Sequence, residues 1–191
     1  ALLADWPLSL TGLLTANPQE AELKEPKLAC FYSIANGPAG VSGLGLAEAL
    51  LKAVLPRLHT EFPSLQHTVT MSPIPTFTKM SEKNDQSTTK MSEKNDQSII
   101  TQMAMAGRVE AHLGAKRGAH LLDPVAHFHL RNGASLARLL YMPDAPAYIR
   151  QQSAGFMAHY RYERGRLEER ARDYAEHGHL CKDPDYQVVI V

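Results

Sequence analysis

Alternating apolar and polar blocks in the first third of the chain predict a strand, a helix and a second strand. Residues 27–35 are rich in aromatic and apolar side chains, as is typical of a strand, and residues 67–71 are predicted to form the next strand. Between them, residues 46–55 are predicted to form a helix with one apolar face made of Leu46, Ala49, Leu50, Ala53 and Val54. A strand, a helix and a strand in this order favour a parallel pair of strands in an α/β layer.

A proline directly follows this predicted helix. Proline removes a backbone donor and clashes with the carbonyl group one turn back. We therefore expect the helix to end or kink at Pro56, with residues 57–62 forming a separate turn.

A polar repeat divides the chain. Residues 78–87 recur without change as residues 89–98. Such a polar stretch cannot bury enough apolar surface to offset its chain entropy, so residues 78–98 are predicted to form a disordered or weakly helical linker. The identity of the two copies indicates either a recent duplication or an engineered or placeholder segment.

The second half of the chain alternates predicted helices and strands. Residues 99–112 can form a helix, and Asp123 with Pro124 offers a second helix an N-cap acceptor and a pre-set first residue. Asn132 and Gly133 form a stop signal, so that second helix must be short. The later segments are predicted as strands at 134–142, 155–162 and 186–191, and as a charged, solvated helix at 163–178.

Length and composition narrow the class of protein. The 191 residues suffice for one buried core, so a single domain at 1–191 is the default. Equal numbers of basic and acidic residues, 20 of each, disfavour nucleic acid and acidic membrane surfaces as partners. Two cysteines, Cys30 and Cys181, are too few for a disulfide framework and favour a reducing, cytoplasmic setting. No apolar segment approaches membrane-spanning length, and Ala1 in place of an initiator Met indicates a trimmed, soluble chain.

A glycine-rich stretch lies between the first predicted strand and the helix. It contains Gly37, Gly40, Ser42, Gly43 and Gly45. Glycine lets backbone N–H groups face a phosphate, and the N-terminus of the following helix adds the positive end of its dipole. The stretch therefore predicts a phosphate-binding loop, with a flexible surface loop as the alternative, since glycine patterns alone have low specificity.

A serine and a histidine form the candidate catalytic pair. Ser72 ends an apolar run and is followed by Pro73 and Pro75, which stop further strand pairing. His129 lies far along the chain, just before the Asn-Gly stop. A hydroxyl and an imidazole can act together in proton transfer, although most globular chains contain such combinations.

Three histidines, His120, His127 and His129, raise the question of a metal site. His127 and His129 share one face only if their segment is a strand. No third ligand spacing and no paired cysteine supports zinc, so no metal is expected.

Several short motifs together resemble the C-terminal, GNAT-like catalytic domain of the malonyl-CoA decarboxylase family, in a trimmed or divergent form. The matched segments are the glycine-rich stretch and residues 31–34, 61–63, 72–75, 123–126, 128–130, 132–134 and 160–162, with Arg138 and Asp144. The resemblance implies that Ser72 and His129 are catalytic and that Tyr162 is an active-site tyrosine. His127 is not at the matching position. Gly45 stands where some members have a carboxylate, and His159 stands where Asn is usual.

The resemblance implies a mixed α/β fold with helices packed on a central sheet, and decarboxylation of malonyl-CoA to acetyl-CoA and CO₂. It implies no metal or organic cofactor beyond the CoA thioester substrate. The alternatives are a GNAT-type acyltransferase that loads a carrier protein or an amine, and a catalytically inactive acyl-CoA-binding module. A monomer or weak homo-oligomer is expected, because the family's N-terminal helical domain is absent from this chain.

Overall fold

The structure is a computed structural model that describes residues 1–15, 25–32, 46–78 and 99–191. The predicted phosphate loop lies outside these ranges, as do residues 79–98 of the repeat, so the predictions about both stay predictions. The chain divides into two compact units, Ala1–Met71 and Ser72–Val191. Across the described ranges, no helix combines the length and apolar character needed to cross a lipid bilayer.

The first unit contains a small mixed sheet. Its elements are β1 (Leu2–Leu3), α1 (Leu10–Thr15), β2 (Leu28–Tyr32), α2 (Leu46–Glu61) and β3 (His67–Ser72), whose last residue opens the second unit. Strand β1 pairs with β2 in antiparallel fashion. Strands β2 and β3 are parallel, with Leu28 opposite His67 and Tyr32 opposite Met71. The predicted strand, helix and parallel strand are therefore confirmed.

Helix α2 departs from the prediction in two ways. It continues through Pro56 to Glu61, so the expected end at Pro56 is wrong. Proline removes only its own hydrogen bond, and later residues keep theirs, such as the 2.8 Å bond from the Phe62 N–H to the Leu58 carbonyl. The predicted apolar face is also wrong, because Leu46 and Leu50 are exposed. The buried residues of α2 are Leu51 and Leu55, one helical turn apart.

The second unit is built around a mixed set of three paired strands. Its elements are α3 (Ile99–Gly114), β4 (Lys116–Arg117), β5 (His120–Leu121), α4 (Pro124–Arg131), β6 (Ser135–Tyr141), α5 (Ala147–Ser153), β7 (Phe156–Arg161), α6 (Leu167–His177) and β8 (Lys182–Ile190). Strand β6 is central, antiparallel to β7 and parallel to β8. The helices and strands predicted in this half are confirmed, although β8 begins at Lys182 rather than near residue 186.

The core of the second unit follows from the sequence of β6. Its side chains are buried on both faces, which is the pattern of a strand flanked by partners and covered on either side. Leu136, Leu139 and Leu140 are almost completely buried, as is Phe156 of β7. Because this sheet is rigidly packed, the ends of β7 and the helix before β6 are fixed in position, and these are the places that carry the candidate site.

Candidate active site

Ser72 is the last residue of β3 and is buried. The prolines that follow it end the strand, and the next turn is held by a 2.9 Å hydrogen bond from the Ile74 N–H to the Ser153 hydroxyl. Ile74 is itself completely buried. The serine hydroxyl therefore projects from a fixed strand end rather than from a loose loop.

Helix α4 holds the histidine. The Asp123 carboxylate accepts hydrogen bonds from the backbone N–H groups of Val125 (3.0 Å) and Ala126 (2.9 Å), and Pro124 begins the helix. The helix ends at Asn132, so the predicted cap and stop are confirmed. These eight residues bring His129 into the last turn, where it is 2% exposed.

The structure brings the three predicted catalytic residues together. His129 Nε2 lies 3.1 Å from Ser72 Oγ, and His129 Nδ1 lies 2.7 Å from Tyr162 Oη. The Tyr160 ring stacks on the imidazole, with 4.4 Å between ring centroids and 19° between planes. The imidazole is therefore hydrogen-bonded at both nitrogens by hydroxyl groups, and its plane is fixed by an aromatic face.

Burial determines the charge of this imidazole. Removal from water lowers the pKa of His129 to about 3, so the ring is neutral at physiological pH. A neutral imidazole donates from one nitrogen and accepts at the other. With Ser72 and Tyr162 able to do either, the three groups form a continuous hydrogen-bonded chain that can pass a proton in either direction.

A second set of polar groups ties the serine turn to the histidine helix. The Thr76 hydroxyl donates to Asp123 Oδ2 (2.7 Å) and lies 2.8 Å from His112 Nε2. Since the single hydroxyl proton goes to the carboxylate, the His112 N–H donates to Thr76. Burial lowers the pKa of His112, although Asp123 opposes that shift. Sequence reasoning missed Thr76 and His112, and it recognised Asp123 only as a helix cap.

The other residues singled out from the sequence, His127 and the glycine-rich stretch, are not part of this hydrogen-bonded chain in the described residues. His127 points to another partner, with Nδ1 2.8 Å from Tyr174 Oη, and its ring centroid lies 4.9 Å from that of His120. It is therefore not part of the Ser72 and His129 pair, as the resemblance implied. The phosphate-loop residues Gly37, Gly40, Ser42, Gly43 and Gly45 lie outside the described residues.

Tyr160 is a site residue that sequence reasoning left without a role. Within the described ranges, nothing hydrogen-bonds its completely buried hydroxyl group. Burial raises its pKa well above the ordinary value, and the nearby Asp123 and Tyr162 add to the shift. The available signal was its place two residues before Tyr162 in an alternating strand, which puts both side chains on one face of β7 and its extension.

Gly133 is needed to end α4 where it does. Its φ is +81°, and a Cβ atom there would overlap the backbone carbonyl of Leu167. We expect Gly133→Ala to lower the free energy of unfolding by at least about 2 kcal/mol, since left-handed backbone alone costs a residue with a Cβ about 1–2 kcal/mol. Urea unfolding measures the loss.

Gly165 provides the matched control. It has a φ of +83°, and a Cβ there would meet nothing within 4 Å. Gly165→Ala should therefore show the backbone cost alone. Equal losses in the two variants would contradict the close approach of Gly133 to Leu167.

Comparison with known proteins places this chain in a family. Residues 1–117 and 112–188 match the family model described as the malonyl-CoA decarboxylase C-terminal domain. The mitochondrial malonyl-CoA decarboxylase of Mus musculus is 28% identical over 201 residues, covering 85% of this chain and 41% of that protein. The enzyme of Rattus norvegicus is 30% identical over 202 residues, covering 81% of this chain and 41% of that protein. The chain thus spans about two fifths of these relatives.

Solved structures give the same result at the level of the fold. Malonyl-CoA decarboxylase from Rhodopseudomonas palustris superposes with a TM-score of 0.77 at 28% identity, covering 96% of this chain and 47% of that one. The Cupriavidus metallidurans structure gives 0.79 at 26% identity, covering 96% and 52%. The loading GNATL domain of CurA from Lyngbya majuscula, at 16% identity and a TM-score of 0.51, covers 88% and 69% and shares the fold alone. The predicted mixed α/β, GNAT-like class is confirmed, and the chain belongs to the malonyl-CoA decarboxylase C-terminal domain family.

Proposed function

We propose that this chain catalyses the decarboxylation of malonyl-CoA to acetyl-CoA and CO₂, with Ser72 and His129 acting on the malonyl group. The observation that carries the proposal is the buried chain of hydrogen bonds from Ser72 through His129 to Tyr162. Its members are all at least 93% buried, so the reacting groups are removed from bulk water. Family membership supplies the substrate class, since the relatives are named for malonyl-CoA.

The reaction sets three requirements. The bond between the α-carbon and the carboxylate breaks, CO₂ leaves, and the electron pair passes into the thioester enolate. The site must therefore hold the carboxylate out of the thioester plane, stabilise the developing oxyanion and deliver a proton to the α-carbon. We assign the first task to the Ser72 hydroxyl and the second to backbone N–H groups near the strand ends.

His129 serves the third task as a neutral relay. With the proton on Nε2, the imidazole returns a proton to Ser72 after Ser72 protonates the α-carbon, while Nδ1 accepts one from Tyr162. Solvent then reprotonates Tyr162 when the products leave, so the one proton that the reaction consumes comes from water. Acid–base assistance of this kind contributes about 10²–10⁴-fold. One oxyanion donor contributes about 2.7–4 kcal/mol, so both terms are needed for a useful rate. A bound malonate-type carboxylate would also raise the His129 pKa, because a nearby negative charge favours imidazolium.

The CoA part of the substrate is assigned to the glycine-rich stretch. Gly43→Val would put a branched side chain where the backbone must approach the pyrophosphate. We expect weaker CoA binding in calorimetry with little change in the fold. Gly107→Val is a suitable control, because a Cβ at Gly107 meets nothing within 4 Å. Equal CoA affinity in wild type and Gly43→Val would move the phosphate site elsewhere.

One incubation separates this function from its alternatives. The protein is mixed with malonyl-CoA, alone and with an amine or a carrier protein, and all products are followed by mass. Acetyl-CoA and CO₂ formed without an acceptor support decarboxylation. An acylated acceptor would instead establish acyl transfer, and CoA binding without turnover would establish an inactive acyl-CoA-binding module. We also propose that the protein is cytoplasmic and that it is a monomer or a weak homo-oligomer. Sedimentation of the purified chain tests the oligomeric state.

A further inference from the structure

A cluster of metal-ligating side chains lies at the C-terminal end of α6, apart from the residues of the candidate active site. Asp173, His177 and His179 place one potential ligand atom each within 4.8 Å of one another. His177 Nδ1 lies 3.0 Å from Asp173 Oδ1, and His179 Nε2 lies 3.1 Å from Asp173 Oδ2. The carboxylate thus stands between two imidazoles.

The backbone holds these side chains in place. Asp173 and His177 are four residues apart on α6, so they lie on the same helical face. Gly178 then adopts the left-handed conformation with φ 59°, and its N–H donates to the Tyr174 carbonyl at 2.7 Å. This cap reverses the chain and returns His179 towards Asp173.

The helix end is also anchored from outside. The Lys116 ammonium donates to the His177 carbonyl at 2.7 Å. A Cβ atom on Gly178 would overlap the Ala119 carbonyl, so the reversal is packed against backbone. A preformed arrangement reduces the ordering that a metal ion would otherwise have to impose.

The donor set and spacing suit a small divalent ion. Two imidazoles and a carboxylate are ligands that Zn²⁺ accepts, with bonds of about 2.0–2.2 Å. Such bonds at a tetrahedral angle put neighbouring donor atoms about 3.3 Å apart. The two imidazole nitrogens lie 3.0 and 3.1 Å from different oxygens of the carboxylate, and one ligand atom from each residue falls within 4.8 Å of the others, so small side-chain movements would bring all three residues onto one ion. The side chains are 42–61% exposed, which leaves an open position for water.

We propose that Asp173, His177 and His179 bind one divalent transition-metal ion of the Zn²⁺ type, with solvent completing its coordination. Isolated ion pairs on a protein surface contribute little to stability. Stabilisation of the fold therefore explains the contact of Asp173 with two histidines less well than metal binding does. The site is independent of the proposed decarboxylation. It also differs from His120, His127 and His129, the set that sequence reasoning considered.

Titration of the untagged chain with Co²⁺, followed by visible absorption, tests the proposal. We expect saturable uptake of one ion per chain, displaced by Zn²⁺. Asp173→Asn, His177→Gln and His179→Gln should each weaken binding by at least about tenfold, because loss of even an outer-shell partner commonly costs 10–100-fold. Circular dichroism checks that each variant remains folded, as expected at exposed positions.

Three control variants make the result specific. Glu176→Gln removes a neighbouring exposed carboxylate of α6, His120→Gln removes a histidine of the other pair, and Cys181→Ser removes the nearest thiol in sequence. All three should bind Co²⁺ as the wild type does. Absence of saturable uptake by wild type, or unchanged affinity in all three ligand variants, would overturn the assignment.

Discussion

Replacing Ser72 or His129 with alanine is expected to lower malonyl-CoA turnover by about 10²–10⁴-fold in each case. The two side chains share one hydrogen bond of 3.1 Å, and in the proposed mechanism both act on the malonyl group, so that removing either would disable the unit. The double variant should therefore lose much less than the product of the two single losses. Steady-state rates of CO₂ release by the four proteins complete this cycle.

His127→Ala is the internal control. It removes the same kind of side chain two residues away, but His127 is bonded to Tyr174 and not to Ser72. We expect it to retain most activity. Activity that survives His129→Ala and vanishes in His127→Ala would refute the assignment, whereas well-folded wild type that releases no CO₂ would refute the function itself.

The pH profile adds a second measurement on the same residue. If the reaction needs neutral His129, kcat/KM should stay high well below pH 6.5. This is expected because burial lowers the pKa of His129 in the substrate-free protein to about 3. An acid limb close to pH 6.5 that disappears in His129→Ala would show that the imidazole is far more hydrated than its burial indicates.

The stability of the folded chain is expected to fall steeply between pH 8 and pH 5. Burial lowers the pKa of both His129 and His159 to about 3, and Arg138 adds to the shift at His159. In the unfolded chain both titrate near 6.5. The unfolded state therefore binds more protons below pH 6.5, and each histidine removes about 2 kcal/mol of stability by pH 5. The contribution of the two neutral histidines to the free energy of unfolding is fully present above pH 6.5. It decreases as the pH falls from 6.5 towards 3.

His159→Asn isolates one half of this effect. Asparagine does not titrate, so the variant should lose about 2 kcal/mol less than wild type between pH 8 and pH 5. Urea unfolding at the two values measures the difference, and any pH-independent cost of the substitution cancels. His112 and His127, whose pKa values are also lowered by burial, contribute in the same direction in both proteins. An unchanged pH dependence would show that buried His159 is not neutral.

Local features of the fold could be predicted because each depends on neighbouring residues. The Asp123 cap, the Pro124 start and the Asn-Gly stop of α4 are set by backbone hydrogen bonding within a few positions. The mistake at Pro56 has the same local origin. Propensity opposes proline inside a helix, whereas burial of Leu51 and Leu55 on one face favours its continuation.

The site could be predicted only in part. The pairing of Ser72 with His129 is predicted from the resemblance to a family in which the matching residues act together. No pattern in the sequence around either residue indicates that the two lie close together. Thr76 and Asp123 bond across 47 positions, and His112 joins them from a third segment, so nothing in their surroundings indicates the contact. The Asp173, His177 and His179 cluster depends on the chain reversal at Gly178, which the charged pattern of the helix does not specify.

The two glycines beside α6 have a mechanical consequence. At one end of the helix the Leu167 backbone fills the space that a side chain on Gly133 would need, and at the other end Gly178 abuts Ala119 in the same way. The eleven residues of α6 span about 16 Å, and backbone packed against a glycine at each end limits movement of the helix along its axis. Since Gly133 directly follows Asn132, the cap of the helix that carries His129, a bulkier residue at either contact would shift α6 and, through it, the position of the His129 imidazole.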